Sequence, residues 1–451
     1  MRHRRHRGIS VGTVFMLALT LLVLSGMAVI LPRLMGTADI SIDARQVFSA
    51  LNLSGAIPQL SLSDIPISDI TAVPDISATP QPQRAETPTP IPATPTPAPT
   101  VAPGGTVTLT FGGTVNIDDA IRKSAYYSDS QKYDFTDIFM LLKEEMQSDL
   151  TLVTLENLII PDSEVSSLNA PDAVMDMLAE NGVDMVALGF PKAYDKGIEA
   201  LRSTIDAANK RGLTTIGAYA TQTDAEALRI VTVDQVDIAF LHYTDAISST
   251  GKKGLKNDGN AYVLPSTLSD GEPYGIITDM EAARQAGADV VIVSLNWGSD
   301  SASKPTTAQK NLAQKLADAG ADVIVGSGTN VVQPVTWLTS KRADGTIRQT
   351  LCAWSLGSII NESRKDGNVA GMLLQLQLSF DGTALTFERV SYTPTYIWRF
   401  KQDGQYQYRV AVSDHTPPDG MSDDQAGYMA KALRNVQKYL GDSPITLRVK
   451  E

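Results

Sequence analysis

Asp149-Leu150-Thr151-Leu152-Val153-Thr154-Leu155-Glu156 is a short, mostly apolar run rich in β-prone residues and bounded by two carboxylates. It is too short for a stable helix, so it reads as a strand of the fully buried type, delivering Glu156 at its C-terminal end. Upstream, Thr106 to Phe111 reads as a second strand running into Gly112-Gly113. Downstream, helical and strand patterns alternate. Ala173 to Ala179 and Ile198 to Lys210 have helical character, each stopped near a glycine (Gly182, Gly212). Val183 to Leu188 and Thr214 to Ala218 read as strands.

Arg229 to Tyr243 reads as two strands joined by a turn at Asp234-Gln235. An irregular stretch with Gly251, Gly254, Gly259 and Gly271 follows. Met280 to Ala286 and Ala308 to Ala319 read as helices. Val290 to Leu295 and Val323 to Val325 read as strands, the latter entering Gly326-Ser327-Gly328. From Val335 to about Tyr396 the chain is mostly strand, and Phe135 to Met146 has helical spacing. Such alternation followed by consecutive strands predicts an α/β class with mixed sheets. Residues 422–440 form an amphipathic helix with Met429, Leu433, Val436 and Leu440 on one face, expected to pack at the C-terminus of the domain.

The chain has 451 residues, 43% of them hydrophobic, and a formal charge of −12. That balance argues against nucleic acid as a partner, which needs a basic face. The single cysteine, Cys352, excludes an intramolecular disulfide and a cysteine-based zinc site, and its apolar context predicts a buried thiol. Of the four histidines, His3 and His6 sit at the N-terminus, leaving His242 and His415 to the globular part.

The first seven residues carry four arginines, and Gly8 to Pro32 contain no charge. A run of this length predicts a membrane-spanning helix with the basic end in the cytoplasm and the bulk of the chain outside. It is longer than a signal-peptide core and lacks a clear cleavage site, so a retained anchor is expected. A Thr/Pro/Ala-rich segment from Pro80 to Pro103 follows, an extended spacer by composition. The expected organisation is thus a cytoplasmic tail (1–8), a transmembrane anchor (9–32), an extracytoplasmic linker (33–104), an α/β domain (105–415) and a C-terminal helical extension (416–451).

Ligand sites in open α/β sheets gather at the C-terminal ends of the strands. Here those ends are Gly113-Thr114, Glu156-Asn157, Gly189 to Asp195, Asn296-Trp297-Gly298 and Gly326 to Asn330. In chain order the sequence also shows Phe111-Gly112-Gly113-Thr114, Asp149 to Glu156, Tyr194-Asp195-Lys196-Gly197, Asn296-Trp297-Gly298, Gln333-Pro334-Val335 and Trp354-Ser355-Leu356-Gly357. Over residues 106 to 360 this series resembles the CapA-like poly-γ-glutamate capsule-synthesis family, whose fold is related to the calcineurin-like metallophosphoesterases. The resemblance implies a metallophosphoesterase-like α/β sandwich.

The family pattern implies metal-binding residues that this chain replaces. Thr114 stands where the family has Asp, and Thr154 where it has Asn. Pro191 and Lys192 replace an Asn-His pair, and Asn296 replaces a His. Gly328 and Asn330 replace two further histidines, and Ser358 replaces a final Asn. A two-metal centre needs carboxylates and neutral imidazoles. The chain is therefore expected to be a degenerate member with neither catalytic metals nor another cofactor. Its remaining cleft would be Glu156, Lys192, Asp195, Asn296, Trp297 and Asn330, suited to a polar polymer or sugar. Each also has a local alternative: Glu156 pairing with Lys192, Asp195 capping the helix that starts near Ile198, Trp297 simply packing. The implied partners are an envelope polymer (poly-γ-glutamate or glycan) and membrane synthesis or export subunits. The rival expectation is a hydrolase or polymer-synthesis enzyme with a rearranged site of Glu156, Asp195 and His242.

Overall fold

A computed structural model describes residues 104–161, 165–265, 274–341 and 345–448, all within one compact unit. The expected tail, membrane anchor and nearly all of the linker lie outside the described residues. Among the described residues no helix is long and apolar enough to cross a membrane.

β1 (Gly105–Val115) leads to α1 (Asp119–Ser124), a hairpin of β2 (Tyr126–Tyr127) and β3 (Lys132–Tyr133), and α2 (Thr136–Phe139). Alternation begins with β4 (Leu150–Leu155), α3 (Ala173–Glu180), β5 (Met185–Ala187), α4 (Gly197–Asn209) and β6 (Thr214–Ile216). Next come α5 (Gln222–Glu226), β7 (Ile230–Val233), β8 (Val236–Thr244), α6 (Ser249–Asp258) and α7 (Tyr274–Gln285). β9 (Val290–Asn296), α8 (Thr307–Ala319) and β10 (Val323–Ser327) precede β11 (Val335–Lys341), β12 (Ile347–Ala353) and β13 (Ser358–Ile360). The chain closes with β14 (Ala370–Phe380), β15 (Leu385–Gln402), β16 (Gln405–Val412), α9 (Asp423–Leu440) and β17 (Thr446–Leu447).

The strands form two mixed sheets. The first runs β16-β15-β14-β1-β4-β5-β6, with β13 beside β1 and β17 beside β15; the second runs β11-β12-β10-β9-β8-β7. β1, β4, β5 and β6 are parallel, as are β8, β9, β10 and β12, so both sets of C-terminal ends carry loops of their own. The sheets face each other across an apolar cluster that includes Leu109, Phe111, Leu152, Phe240, Ile292 and Val325. A second cluster joins the outer face of the first sheet (Val153, Leu155) to residues of α3 and α4. A third joins the outer face of the second (Val291, Val293, Leu295) to α7 and α8. The result is a layered α/β sandwich with mixed sheets.

The turn at Asp234-Gln235 falls as expected, both residues having positive φ. Cys352 is fully buried in β12, and burial pushes its thiol well above the ordinary value. α9 starts with a capping box, Ser422 with Gln425, and buries Met429, Ala432, Val436 and Leu440 in the inter-sheet cluster; Leu433 is only partly buried.

Two expectations are corrected. The helical spacing of Phe135 to Met146 yields a true helix only over Thr136–Phe139. The rest is a series of turns that still buries Leu142 and Met146. The glycine-rich stretch expected to be irregular contains α6, whose capping Ser248 accepts from the Gly251 N–H. Its glycines permit close approach: a Cβ at Gly254 would sit 3.1 Å from the Tyr194 ring. Packing here overrides poor helix propensity.

Candidate functional site

The two-residue period of a strand decides which side chains reach the inter-sheet space. In β4, Val153 and Leu155 face the helices, so Thr154 and then Glu156 face the second sheet. In β9, Val291, Val293 and Leu295 face the helices, leaving Ser294 and Asn296 facing the first sheet. β1 needs a correction of phase. Its pairing with β4 shifts between Phe111 and Thr114, an extra residue accommodated at Gly112-Gly113. A Cβ at Gly113 would lie 2.0 Å from the Gly357 carbonyl oxygen, so no larger residue fits without rearrangement. This bulge re-aims Thr114 inward.

These inward side chains meet as hydrogen bonds between the sheets. The Asn296 Nδ2 donates to Glu156 Oε1 at 2.8 Å. The Thr154 hydroxyl meets Ser327 Oγ at 3.2 Å. Ser358 Oγ donates to Asn330 Oδ1 at 2.7 Å, and Asn330 Nδ2 donates onward to Asp300 Oδ1 at 3.0 Å. Asn330 has φ of 60°, a left-handed conformation that asparagine tolerates well. His242, on β8, spans to the loop after β5: its Nε2 is 2.8 Å from the Gly189 carbonyl and its Nδ1 is 2.8 Å from Ser294 Oγ. A carbonyl only accepts, so the proton sits on Nε2 and Nδ1 accepts from the serine. Gly217 clears space for the ring, since a Cβ there would fall 2.2 Å from His242 Cδ2.

Electrostatics follow from burial. Burial raises the Glu156 carboxyl to about 7, aided by the charges of Asp118 and Asp300 and opposed by the Asn296 hydrogen bond and by Lys192. Burial lowers the His242 imidazole to about 4. Asp118 is also raised, by burial first and then by Glu362, while it accepts from Asn116 Nδ2 and the Glu362 N–H. The strand ends are thus bridged by amides, hydroxyls and the Glu156 carboxyl, and rimmed by further carboxylates.

Of the six cleft residues expected from sequence, Glu156 and Asn296 are bonded to each other, and Asn330 lies in the same seam. Lys192 is exposed and makes no ion pair among the described residues; its charge lowers the Glu156 value without a direct bond. Asp195 does not cap α4, whose start has no side-chain cap. It accepts from the hydroxyl of Ser248, the capping residue of α6. Trp297 follows Asn296 in sequence and so points the other way. It is buried on the helix side, its Nε1 donating to the Trp354 carbonyl at 2.9 Å and its ring stacked on Trp354 at 5.7 Å. The rearranged trio of Glu156, Asp195 and His242 is not joined by hydrogen bonds, because the latter two are committed elsewhere. Sequence reading missed Asp118 and Asp300. Their signal was position, each three or four residues beyond the end of a central strand.

The donor set does not fit a two-metal centre. Thr114, Thr154, Asn296, Asn330 and Ser358 supply hydroxyls and amides, and the described residues contain no group of three or more His, Cys, Asp or Glu placed to hold a metal ion. The Thr114 hydroxyl is fully buried and has no hydrogen-bond partner.

Comparison with known proteins agrees with the motif series. Two curated relatives match: the capsule biosynthesis protein CapA of Bacillus anthracis, 26% identical over 48% of this chain and 50% of that protein, and the PGA biosynthesis protein CapA of Bacillus subtilis (strain 168), 30% identical over 42% and 46%. The match spans about half the length of each. Among solved structures, the calcineurin-like phosphoesterase YfkN from Bacillus subtilis aligns over 75% of this chain and 99% of that one, with 13% identity and a TM-score of 0.38. The family described as bacterial capsule synthesis protein PGA_cap matches residues 108–363, more than half of the chain and the span from within β1 to the loop after β13, and the chain belongs to that family.

Proposed function

We propose that the chain is a membrane-anchored, extracellular protein of capsule or envelope polymer synthesis and export, with a binding or assembly role rather than two-metal hydrolysis. The polymer is poly-γ-glutamate or a glycan, and the partners are membrane synthesis or export subunits. One observation carries the reading: the ends of the parallel strands are bridged by Asn296–Glu156, Thr154–Ser327 and Ser358–Asn330, pairs in which amides and hydroxyls stand where metal chemistry needs several carboxylates and imidazoles. The membrane anchor rests on residues 9–32 of the sequence and the outward orientation on the arginines before them.

Deleting the chain from its host is expected to lower surface polymer, and the Glu156→Gln variant is expected to restore it. Unchanged polymer after deletion would remove the functional assignment. A specific observation favours a second reading, an enzyme of polymer synthesis or hydrolysis. Glu156 is partly buried, hydrogen-bonded through one oxygen and raised to about 7, as suits a general acid or base. Failure of Glu156→Gln to restore polymer, with the protein folded and present, would select that reading.

A further inference from the structure

The strand-end seam is a poor seat for a polyanion, since Glu156, Asp118, Asp300 and Glu362 crowd it. A different part of the surface has the opposite sign. A cavity of about 310 Å³ lies between β15, the loop before β14 and α9, and into it converge Arg364, Arg399 and Lys431. Asp366 is the sole carboxylate among its lining residues. In a chain of net charge −12, three cations against one anion in a single pocket is a local reversal.

The two guanidinium groups are held in place without being neutralised. Arg364 Nη1 donates to the Ile397 carbonyl at 3.2 Å, and its charge acts on the buried Tyr396 phenol. The Arg399 guanidinium lies 4.3 Å from the centroid of the Tyr406 ring, and its carbonyl accepts from Gln425 of α9. Neither arginine has an ion-pair partner among the described residues. Lys431 pairs with Asp366 at 2.7 Å, and Asn435 Nδ2 fixes the Asp366 carbonyl at 3.2 Å. Tyr428, 61% exposed, stands at the mouth. Two preorganised guanidinium forks beside an ammonium match successive carboxylates on a chain, because each fork can donate a bidentate pair of hydrogen bonds to one carboxylate.

We propose that the Arg364–Arg399–Lys431 pocket binds a carboxylate-bearing polyanion, of which a γ-linked glutamate chain is the member that the capsule reading supplies. The choice of polymer rests on that reading; the pocket does not. Phosphate polymers share the anionic oxygen, so the test must separate them.

The probe is a fluorescein-labelled γ-linked glutamate oligomer, titrated by anisotropy with the full-length chain in detergent micelles. Binding is expected, weakening as salt rises. It should fall at least about tenfold in the Arg364→Gln/Arg399→Gln double variant. Lys431→Glu, at an exposed helical position, should weaken it severalfold, with folding checked by circular dichroism. Asp366→Asn should strengthen it, a gain that a purely structural role for these residues does not predict. Binding unchanged in the folded double variant and in Lys431→Glu overturns the pocket while leaving the capsule reading intact, as does no binding by the parent chain. Polyphosphate competing better than the glutamate oligomer, with both lost in the double variant, overturns the carboxylate assignment.

Discussion

The two ends of the central strands use opposite chemistry. At the N-terminal end, an aspartate immediately before a strand reaches the backbone of its neighbour. Asp149 accepts from the Thr108 N–H, Asp184 from Thr151, Asp289 from Asp237 and Asp322 from Val291, all at 2.7 to 2.9 Å. Asp322 also pairs with Arg284 and Arg348. At the C-terminal end the same strands meet through amides, hydroxyls, one neutral imidazole and the Glu156 carboxyl. At one end carboxylates clamp one strand to the next; at the other they gather without the imidazoles that a hydrolytic centre would require. Carboxylate content alone therefore says little about catalysis; the end of the sheet on which carboxylates fall says more.

Breaking the charged end should cost most. Asp322→Ala leaves two arginines and the Val291 N–H without their shared acceptor, in a residue only 6% exposed. A loss of about 3–5 kcal/mol is expected in denaturant unfolding; a loss under about 1 kcal/mol would show that the clamps are incidental.

The neutral end should reveal itself through pH. Glu156, raised to about 7 from 4.5, holds a proton in the fold but not in the unfolded chain between those values. Its contribution is fully present below pH 4.5 and lost as pH rises through 7. His242, lowered to about 4 from 6.5, behaves oppositely: its contribution is present above pH 6.5 and lost as pH falls through 4. Between pH 4.5 and 6.5 the two slopes oppose each other. Glu156→Gln should remove one of them, so the variant should lose about 2 kcal/mol relative to the parent chain's trend on going from pH 6.5 to 4.5. Parallel stability curves for the two proteins would mean that Glu156 titrates normally.

The smallest effect belongs to Thr114. Its hydroxyl has no partner, so Thr114→Val should leave stability unchanged or raise it by about 1 kcal/mol. A clear loss would reveal a bond at that hydroxyl and sharpen the contrast with Thr154, whose hydroxyl meets Ser327.

Much of the fold was legible because central parallel strands are short apolar runs with glycine punctuation. Leu150–Leu155 and Val290–Asn296 are of this kind, and the turn at Asp234-Gln235 was legible as a polar pair between two apolar runs. α6 was not legible, because Leu255 is the only large side chain that it buries and two of its residues are glycines selected for close packing. The site was legible in part. Glu156, Asn296 and Asn330 could be placed from strand ends alone. Trp297 could not belong with Asn296, since neighbours on a strand point to opposite faces, and the alternation within Val290–Asn296 already implied this. Asp195 was misplaced because a carboxylate before a helix resembles a cap, whereas its partner, Ser248, lies 53 residues away in sequence. The Ala-Asp pairs before Val290 and Val323 were also in the sequence as a repeated signal for the clamped end.

The central proposal is that the strand ends are joined by hydrogen bonds among amides, hydroxyls and the Glu156 carboxyl and do not assemble a two-metal centre. The most direct test is to measure metal bound by the full-length, untagged chain when manganese, iron and zinc are offered in turn. The account predicts no tight, near-stoichiometric binding by the folded protein. Near-stoichiometric metal that is lost in Glu156→Gln would contradict it, and would mean that other residues had rebuilt the centre around that carboxylate.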